Sequence, residues 1–183
     1  MTARSRRGAP AVAGRRTRAP RVPPRRRPAR GARVERILVL SGPNLDRLGR
    51  REPEIYGTLT LAQIHERLAL AARELGAEVV CRQSNHEGEL IDWINGADDA
   101  GLNGILINPG ALTHTSWALH DALKGCGLPA VEVHLTNPDA REEFRRRSRT
   151  APACLGRVAG FGADSYLLAL RGLVEHLRAP RPR

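Results

Sequence analysis

Two observations in the sequence predict an α/β fold with a doubly wound parallel sheet. Short apolar segments of strand length, such as 37–40 and 104–107, alternate along the chain with longer segments whose apolar residues have helical spacing. The connections between them are short enough for right-handed crossovers, which place helices on both faces of a parallel sheet. Five such strands imply a flavodoxin-like sheet with the strand order 2-1-3-4-5.

Local signals bound each predicted element. The first strand, Ile37–Leu40, is followed by a polar loop, and the helix over 58–76 then has Thr60 as its N-cap and Gly76 as its stop. The later elements are predicted, in chain order, as a strand at 78–81, a helix capped by Ser84 or Asn85, a strand at 104–107, a helix at 116–124, a strand at 130–133, a short arginine-rich helix at 138–149, a weak strand at 157–159 and a helix at 165–177.

Residues 1–33 differ in composition from the rest of the chain. They contain twelve of the 30 basic residues and no Asp or Glu, so the remaining 18 basic residues face 19 acidic ones and the net charge of +11 comes from this segment. With so few large apolar side chains, the segment cannot offset the entropy of ordering it. We predict a disordered Arg/Pro-rich extension at 1–33 and one folded domain at 34–179. A misassigned start near Val34 is an equally good interpretation.

The composition limits the cellular compartment and the binding partners that we expect for this protein. Cys81, Cys126 and Cys154 have neither paired nor metal-ligand spacing, which fits reduced thiols in a cytoplasmic protein. No segment approaches the ~20 apolar residues of a membrane span, and neither a GxGxxG nor a Walker loop is present. We therefore expect no cofactor, no metal and no membrane partner. Nucleic acid is expected to bind only nonspecifically, through residues 1–33.

Three polar loops should meet at one rim of the sheet, because ligands of such sheets bind beyond the carboxyl ends of the strands. They are 44–56, 108–116 and 132–137. Glu132 and His134 are two apart on a strand and so share a face, where a carboxylate favours the charged imidazole and makes it a proton donor. A solvent-facing ion pair is the alternative interpretation.

The loop after the first strand contains a candidate base. A nearby arginine, Arg51, would lower the phenol pKa of Tyr56 toward working pH. An arginine-rich solvated loop with a packing tyrosine explains the same spacing equally well. His114 alone is weak evidence for a site, and His65, His86, His120 and His176 are interpreted as structural or solvated.

Five segments resemble, in order and spacing, the type II 3-dehydroquinate dehydratases. They are SGPNLDRLGRREPEIYG, QSNHEGELIDWIN, INPGALTHTSWALHDAL, AVEVHLTNPDAREEFRR and GFGADSYLLAL. The resemblance covers about Ile37 to Leu177. It implies loss of water from 3-dehydroquinate to give 3-dehydroshikimate, a step of the shikimate pathway, through an enolate and without Schiff base or metal.

The resemblance also implies roles for individual residues. Tyr56 would remove the C2 proton, Arg51 would lower the pKa of Tyr56, and His134 would protonate the departing C1 hydroxyl. Asn44 would hold a water or the enolate oxygen. The substrate would further contact Asn108, His114, the backbone amides of Leu135 and Thr136, and Arg145 with Arg141 alongside, while Asp121 would reach in from a neighbouring subunit of a dodecamer built as a tetramer of trimers.

The sequence departs from the pattern that is common in these enzymes at three places: Asp46, Trp117 and 150–157. None coincides with a residue that carries an implied catalytic role.

Two other functions compete with the enzyme. One is a nucleic-acid-associated protein that acts through residues 1–33. The other is a flavodoxin-like electron carrier or ligand-binding module, for which an aromatic content of 3% is low.

Overall fold

The computed structural model describes residues 34–50 and 57–180. The predicted extension at 1–33 and the site residues Arg51 and Tyr56 lie outside these ranges. Within them the chain forms one sheet of five parallel strands in the order β2-β1-β3-β4-β5, so the predicted fold class and strand order are confirmed. The strands are β1 (Glu35–Ser41), β2 (Ala77–Gln83), β3 (Gly104–Asn108), β4 (Ala130–His134) and β5 (Gly156–Ala159).

Helices cover both faces of the sheet, as expected for a parallel sheet buried on both sides. They are α1 (Leu61–Glu74), α2 (Glu87–Asn95), α3 (Leu112–Thr115), α4 (Trp117–Gly125) and α5 (Asp164–Arg178). Alternation along β1 divides the core: Ile37 and Val39 pack with apolar residues of α1 and α5, whereas Leu38 and Leu40 pack with those of α2 and α4. The short helix α3 was not predicted.

The helix caps agree with the sequence in one place and differ in another. Thr60 caps α1 as predicted, since its hydroxyl accepts from the backbone N–H of Gln63 while the Gln63 side chain accepts from the N–H of Thr60. The predicted cap of α2 is wrong, because α2 begins after His86. Ser84 and Asn85 are used elsewhere: Ser84 Oγ accepts from the N–H of His86, and Asn85 Oδ1 accepts from the N–H of Asn44.

The predicted helix at 138–149 is also wrong. Two short 3₁₀ helices, Pro138–Ala140 and Glu143–Arg146, replace it, and residues 147–150 are irregular. The segment has no apolar stripe that a helix could bury, and its polar groups bind other elements instead; for example, the N–H of Arg149 donates to Thr113 O at 2.7 Å. None of the helices in the described ranges is both long and apolar enough to cross a membrane.

Candidate active site

A cavity of about 260 Å³ opens beyond the carboxyl ends of β1, β3 and β4. This is the rim at which the sequence predicts the site. Seven of the predicted residues line it: Asn44, Asn108, His114, His134, Leu135, Thr136 and Arg145, together with Arg141. The structure therefore brings together three loops that are far apart in the chain, with amide, imidazole and guanidinium groups facing one volume.

Two glycines allow the loops after β1 and β3 to approach each other closely beside this cavity. The N–H of Gly42 donates to Asn108 O at 2.8 Å, and a Cβ on Gly42 would collide with the carbonyl group of Pro109. Gly110 has a left-handed backbone with φ 59°, and a Cβ there would lie 3.0 Å from Pro43 O. Any side chain at Gly42 would therefore push the two loops apart.

Asn44 has an unusual backbone conformation. Its φ of 66° is the only positive value among the described residues other than glycine, and Asn tolerates this region better than most residues do. Its N–H donates to Asn85 Oδ1 at 2.8 Å, which ties the β1 loop to the loop after β2. This places an amide side chain at the cavity wall.

Glu132 and His134 form a buried pair at the end of β4. His134 Nε2 lies 2.8 Å from Glu132 Oε1, and His134 and Glu132 are only 8% and 0% exposed. The alternative of a solvent-facing ion pair is therefore wrong. An ionised carboxylate only accepts, so Nε2 carries a proton and Nδ1 is the other ring nitrogen. With a proton on Nδ1 as well, the ring is an imidazolium that can act as an acid.

Two hydroxyls complete the surroundings of this carboxylate. Ser148 Oγ donates to Glu132 Oε2 at 2.8 Å, and Thr150 Oγ1 donates to the same oxygen. Burial raises the pKa of Glu132, but the bonds from His134, Thr150 and Ser148 outweigh burial and hold that pKa below its ordinary value. Sequence reasoning missed both hydroxyls, since each lies more than a dozen residues from Glu132.

Asn108 and Tyr166 are neighbouring side chains that are both buried. Asn108 is 3% exposed, and its Oδ1 accepts from the N–H of Gly110 at 3.2 Å. The hydroxyl of the fully buried Tyr166 lies 3.5 Å from Ser41 Oγ. Burial raises the pKa of Tyr166, against opposing hydrogen bonds from Ser41 and Asn108. A phenol in this environment does not ionise readily and is a poor base.

The hydrogen bonding of His114 defines which of its ring nitrogens carries a proton. Its Nδ1 lies 2.9 Å from the carbonyl oxygen of Arg147, and because a carbonyl only accepts, Nδ1 carries the proton. In the neutral ring, Nε2 is then the nitrogen that can accept a hydroxyl proton from a ligand. The ring also packs edge-on against Phe144, with the centroids 5.6 Å apart.

The outer wall carries two arginines that share one carboxylate. Glu142 Oε2 lies 2.8 Å from Arg145 Nε and 3.4 Å from Arg141 Nε. The pKa of Glu142 is lowered first by its own backbone N–H and then by Arg145 and Arg141. Arg145 also stacks on Phe144, with its guanidinium carbon 4.6 Å from the ring centroid. A guanidinium has five N–H donors, so the cation at this wall suits an anionic ligand.

Not every predicted residue lies at the cavity. Asp121 is exposed on α4 and does not line it. The departures Asp46 and Trp117 are both exposed; Trp117 stacks under the Arg149 guanidinium at 4.8 Å. In the described ranges, no group of three or more His, Cys, Asp or Glu side chains is arranged to hold a metal ion.

Comparison with known proteins assigns the family. A sequence model of the family Dehydroquinase class II matches residues 35–174. This chain belongs to that family. Family membership confirms the resemblance seen in the five segments, and it favours the enzyme over an electron carrier or a nucleic-acid-associated protein.

Several known dehydratases and dehydroquinases are similar to this chain over nearly their whole length. A 3-dehydroquinate dehydratase of Thermus thermophilus is 57% identical over 141 residues, which is 77% of this chain and 95% of the relative. That of Deinococcus radiodurans is 51% identical over 141 residues, 77% of this chain and 99% of the relative. The crystal structure of type II dehydroquinase from Propionibacterium acnes superposes with a TM-score of 0.74 at 45% identity, covering 77% of this chain and 97% of that one.

Proposed function

We propose that this chain removes water from 3-dehydroquinate to give 3-dehydroshikimate in the cavity beyond β1, β3 and β4. The reaction follows from the family, whose curated relatives carry the name 3-dehydroquinate dehydratase, and it makes the chain a hydro-lyase of the shikimate pathway. The observation that supports this cavity as the site is the buried Glu132–His134 pair at its wall.

The first step requires a base for the C2 proton, which lies next to the ketone. We assign this role to Tyr56, with Arg51 lowering its pKa and stabilising the enolate that forms. Both residues lie outside the described ranges. The assignment is supported by elimination: Tyr166 is the other tyrosine of the chain, and burial raises its pKa. Asn44, at the cavity wall, would hold the enolate oxygen or a water.

The second step requires an acid for the C1 hydroxyl. His134 suits it, because Glu132 fixes the ring through Nε2 and stabilises the positive charge of the imidazolium. Expulsion of hydroxide without a proton would be slow, so the acid belongs to the step that breaks the C–O bond. Loss of that bond from the enolate gives the conjugated enone.

Substrate binding uses the polar groups that surround the acid. The substrate has ring hydroxyls and one carboxylate. His114 Nε2 and the Asn108 amide would contact the hydroxyls, and the backbone amides of Leu135 and Thr136 would bind the carboxylate. Arg145 with Arg141 would complete the outer wall. This arrangement is supported by the position of all six residues around one cavity.

The assembly is also part of the proposal. Asp121 lies on an exposed part of α4, so it fits a role in the site of a neighbouring subunit within a dodecamer made of four trimers. Light scattering of the purified chain tests this: a fully active monomer would contradict it.

A cytoplasmic location is proposed because the three cysteines lack paired spacing. Residues 1–33 are not required for the reaction, and nucleic acid would bind there only nonspecifically.

The test is a direct assay. Purified protein mixed with 3-dehydroquinate should produce the ultraviolet absorbance of the conjugated enone, with turnover proportional to enzyme concentration. A folded protein that gives no absorbance, at neutral pH and millimolar substrate, would overturn the proposed function.

A further inference from the structure

Residues 147–150, termed the strap below, make hydrogen bonds in two directions. The side chains of Ser148 and Thr150 both donate to Oε2 of Glu132, whereas His134 uses Oε1. The two oxygens of this buried carboxylate are thus divided between the imidazole and the strap. Ser148 Oγ additionally accepts from the N–H of Ala151 at 2.8 Å, which fixes its position.

The backbone of the strap binds the helices on the other side. Arg147 O accepts from His114 Nδ1, the N–H of Arg149 donates to Thr113 O at 2.7 Å, and Arg149 O accepts from His120 Nδ1 at 2.8 Å. The strap is therefore anchored to α3 and α4 independently of its hydroxyl bonds. One short segment thus connects the pair at the end of β4 to His114 on α3, which also lines the cavity.

We propose that Ser148 and Thr150 are positioning residues for the dehydration, which hold the Glu132 carboxylate in the orientation that keeps His134 aligned toward the leaving hydroxyl. The inference rests on the proposed role of His134 as the acid. Neither hydroxyl lines the cavity, so both act through Glu132 and not on the substrate.

The physical reason is the cost of burying a carboxylate. Glu132 is 0% exposed, and an ionised group in such a place requires donors for both oxygens. His134 satisfies Oε1 only. Without the strap hydroxyls, Oε2 has lost its two donors, and Glu132 can either rotate away from His134 or take up a proton. Either change removes the negative partner that orients and charges the imidazole.

The groups around Glu132 determine how the effect of losing the strap hydroxyls would depend on pH. The titratable or charged groups on the elements packed around it are His134 on β4, Arg157 opposite it on β5, His120, Asp121, Lys124 and Cys126 at α4, Arg147 and Arg149 of the strap, and Cys154 after it. Asp121, Lys124 and Arg147 are exposed, and the Arg149 guanidinium lies over the Trp117 ring. Arg157 pairs with Asp139, and burial, with the Glu132 charge adding to it, raises the pKa of Cys154 to about 12. Cys154 thus stays a neutral thiol at working pH.

The test compares variants that keep or remove one hydroxyl. Thr150→Val preserves the shape of the side chain and Ser148→Ala removes only an oxygen. We expect each to lower kcat about tenfold, a part of the ~10²–10⁴ that a general acid contributes, with KM within about twofold of the wild type. Thr150→Ser keeps the hydroxyl and should retain most of the activity. The double variant should approach His134→Ala.

A pH profile separates positioning from a structural role. Hydroxyl donors favour the ionised carboxylate, so their removal raises the pKa of Glu132. The deficit of Thr150→Val should therefore be largest at acidic pH and shrink as the pH rises. Thr113→Val is the matched control: Thr113 is 1% exposed and its hydroxyl has no hydrogen-bond partner in the described part of the chain, so kcat and the pH profile should not change.

The outcomes are distinguishable. If Thr150→Val and Ser148→Ala both keep wild-type kcat and pH profile while His134→Ala is inactive, the strap proposal is overturned and the acid stands. If His134→Ala itself retains activity, the proposed acid fails. Melting curves identify a variant that does not fold, and Ser148→Ala then decides the question alone.

Discussion

Two carboxylates of this chain bond basic side chains that line the same cavity, and the two carboxylates lie in opposite environments. Glu132, at the end of β4, is fully buried and bonds His134 and two hydroxyls. Glu142 precedes the 3₁₀ helix Glu143–Arg146, has a side chain that is 53% exposed, and bonds Arg145 and Arg141. Neighbouring donors lower the pKa of both carboxyls. Burial is the largest single influence on the pKa of Glu132, whereas for Glu142 its own backbone N–H and the bond from Arg145 count for more than burial.

This difference in exposure suggests separate tasks for the two carboxylates, one in catalysis and one in substrate binding. A buried carboxylate with fixed donors cannot move without leaving a charge unpaired, so it suits the orientation of a catalytic acid. An exposed carboxylate is screened by water and salt. Its loss beside Arg141 and Arg145, which are proposed to bind the substrate, should therefore have a small effect. The buried pair Glu132–His134 should therefore control kcat, and the exposed Glu142 with its two arginines should control KM.

The largest effect is expected from the inner carboxylate. Glu132→Gln keeps the shape but removes the charge that orients His134. It should lower kcat by about 10²–10⁴, the contribution of a general acid, with a smaller change in KM. Steady-state kinetics measure this, and circular dichroism with a melting curve checks the fold. A kcat close to that of the wild type would break the comparison.

A smaller effect is expected from the outer carboxylate. Glu142→Gln removes the negative charge beside Arg141 and Arg145 but leaves both arginines in place. Because exposed ion pairs contribute little, KM should rise about fivefold or less. The effect should decline as salt is added. Glu143→Gln is the control, since Glu143 is exposed and forms no ion pair with another described residue. A large loss of kcat in Glu142→Gln would contradict the division of tasks.

Much of this could be predicted from the sequence. Alternating apolar segments specified the sheet and its order, because strand and helix periods leave distinct patterns. Glu132 and His134 were found because residues two apart on a strand share a face. The convergence of strand ends in a parallel sheet predicted that the loops 44–56, 108–116 and 132–137 meet, and the family resemblance then named Asn44, Asn108 and His114 within them.

The missed features depend on contacts without a local pattern. Ser148 and Thr150 bond a carboxylate 16 and 18 residues away, and no spacing rule links a hydroxyl in a loop to a strand at such a separation. The same contacts explain the wrong helix at 138–149, since tertiary bonds used the polar groups that a helix would have satisfied. The predicted cap at Asn85 is wrong because the side chain bonds Asn44, across two loops that are distant in sequence.

In the proposed reaction, Tyr56 removes the C2 proton before His134 acts on the C1 hydroxyl. The most direct measurement follows 3-dehydroquinate by NMR in deuterated water with Tyr56→Phe and His134→Ala. His134→Ala should exchange the C2 proton for deuterium while forming little enone, because its base is intact and its acid is missing. Tyr56→Phe should do neither. Rapid enone formation by His134→Ala, or C2 exchange by Tyr56→Phe at the wild-type rate, would contradict the account.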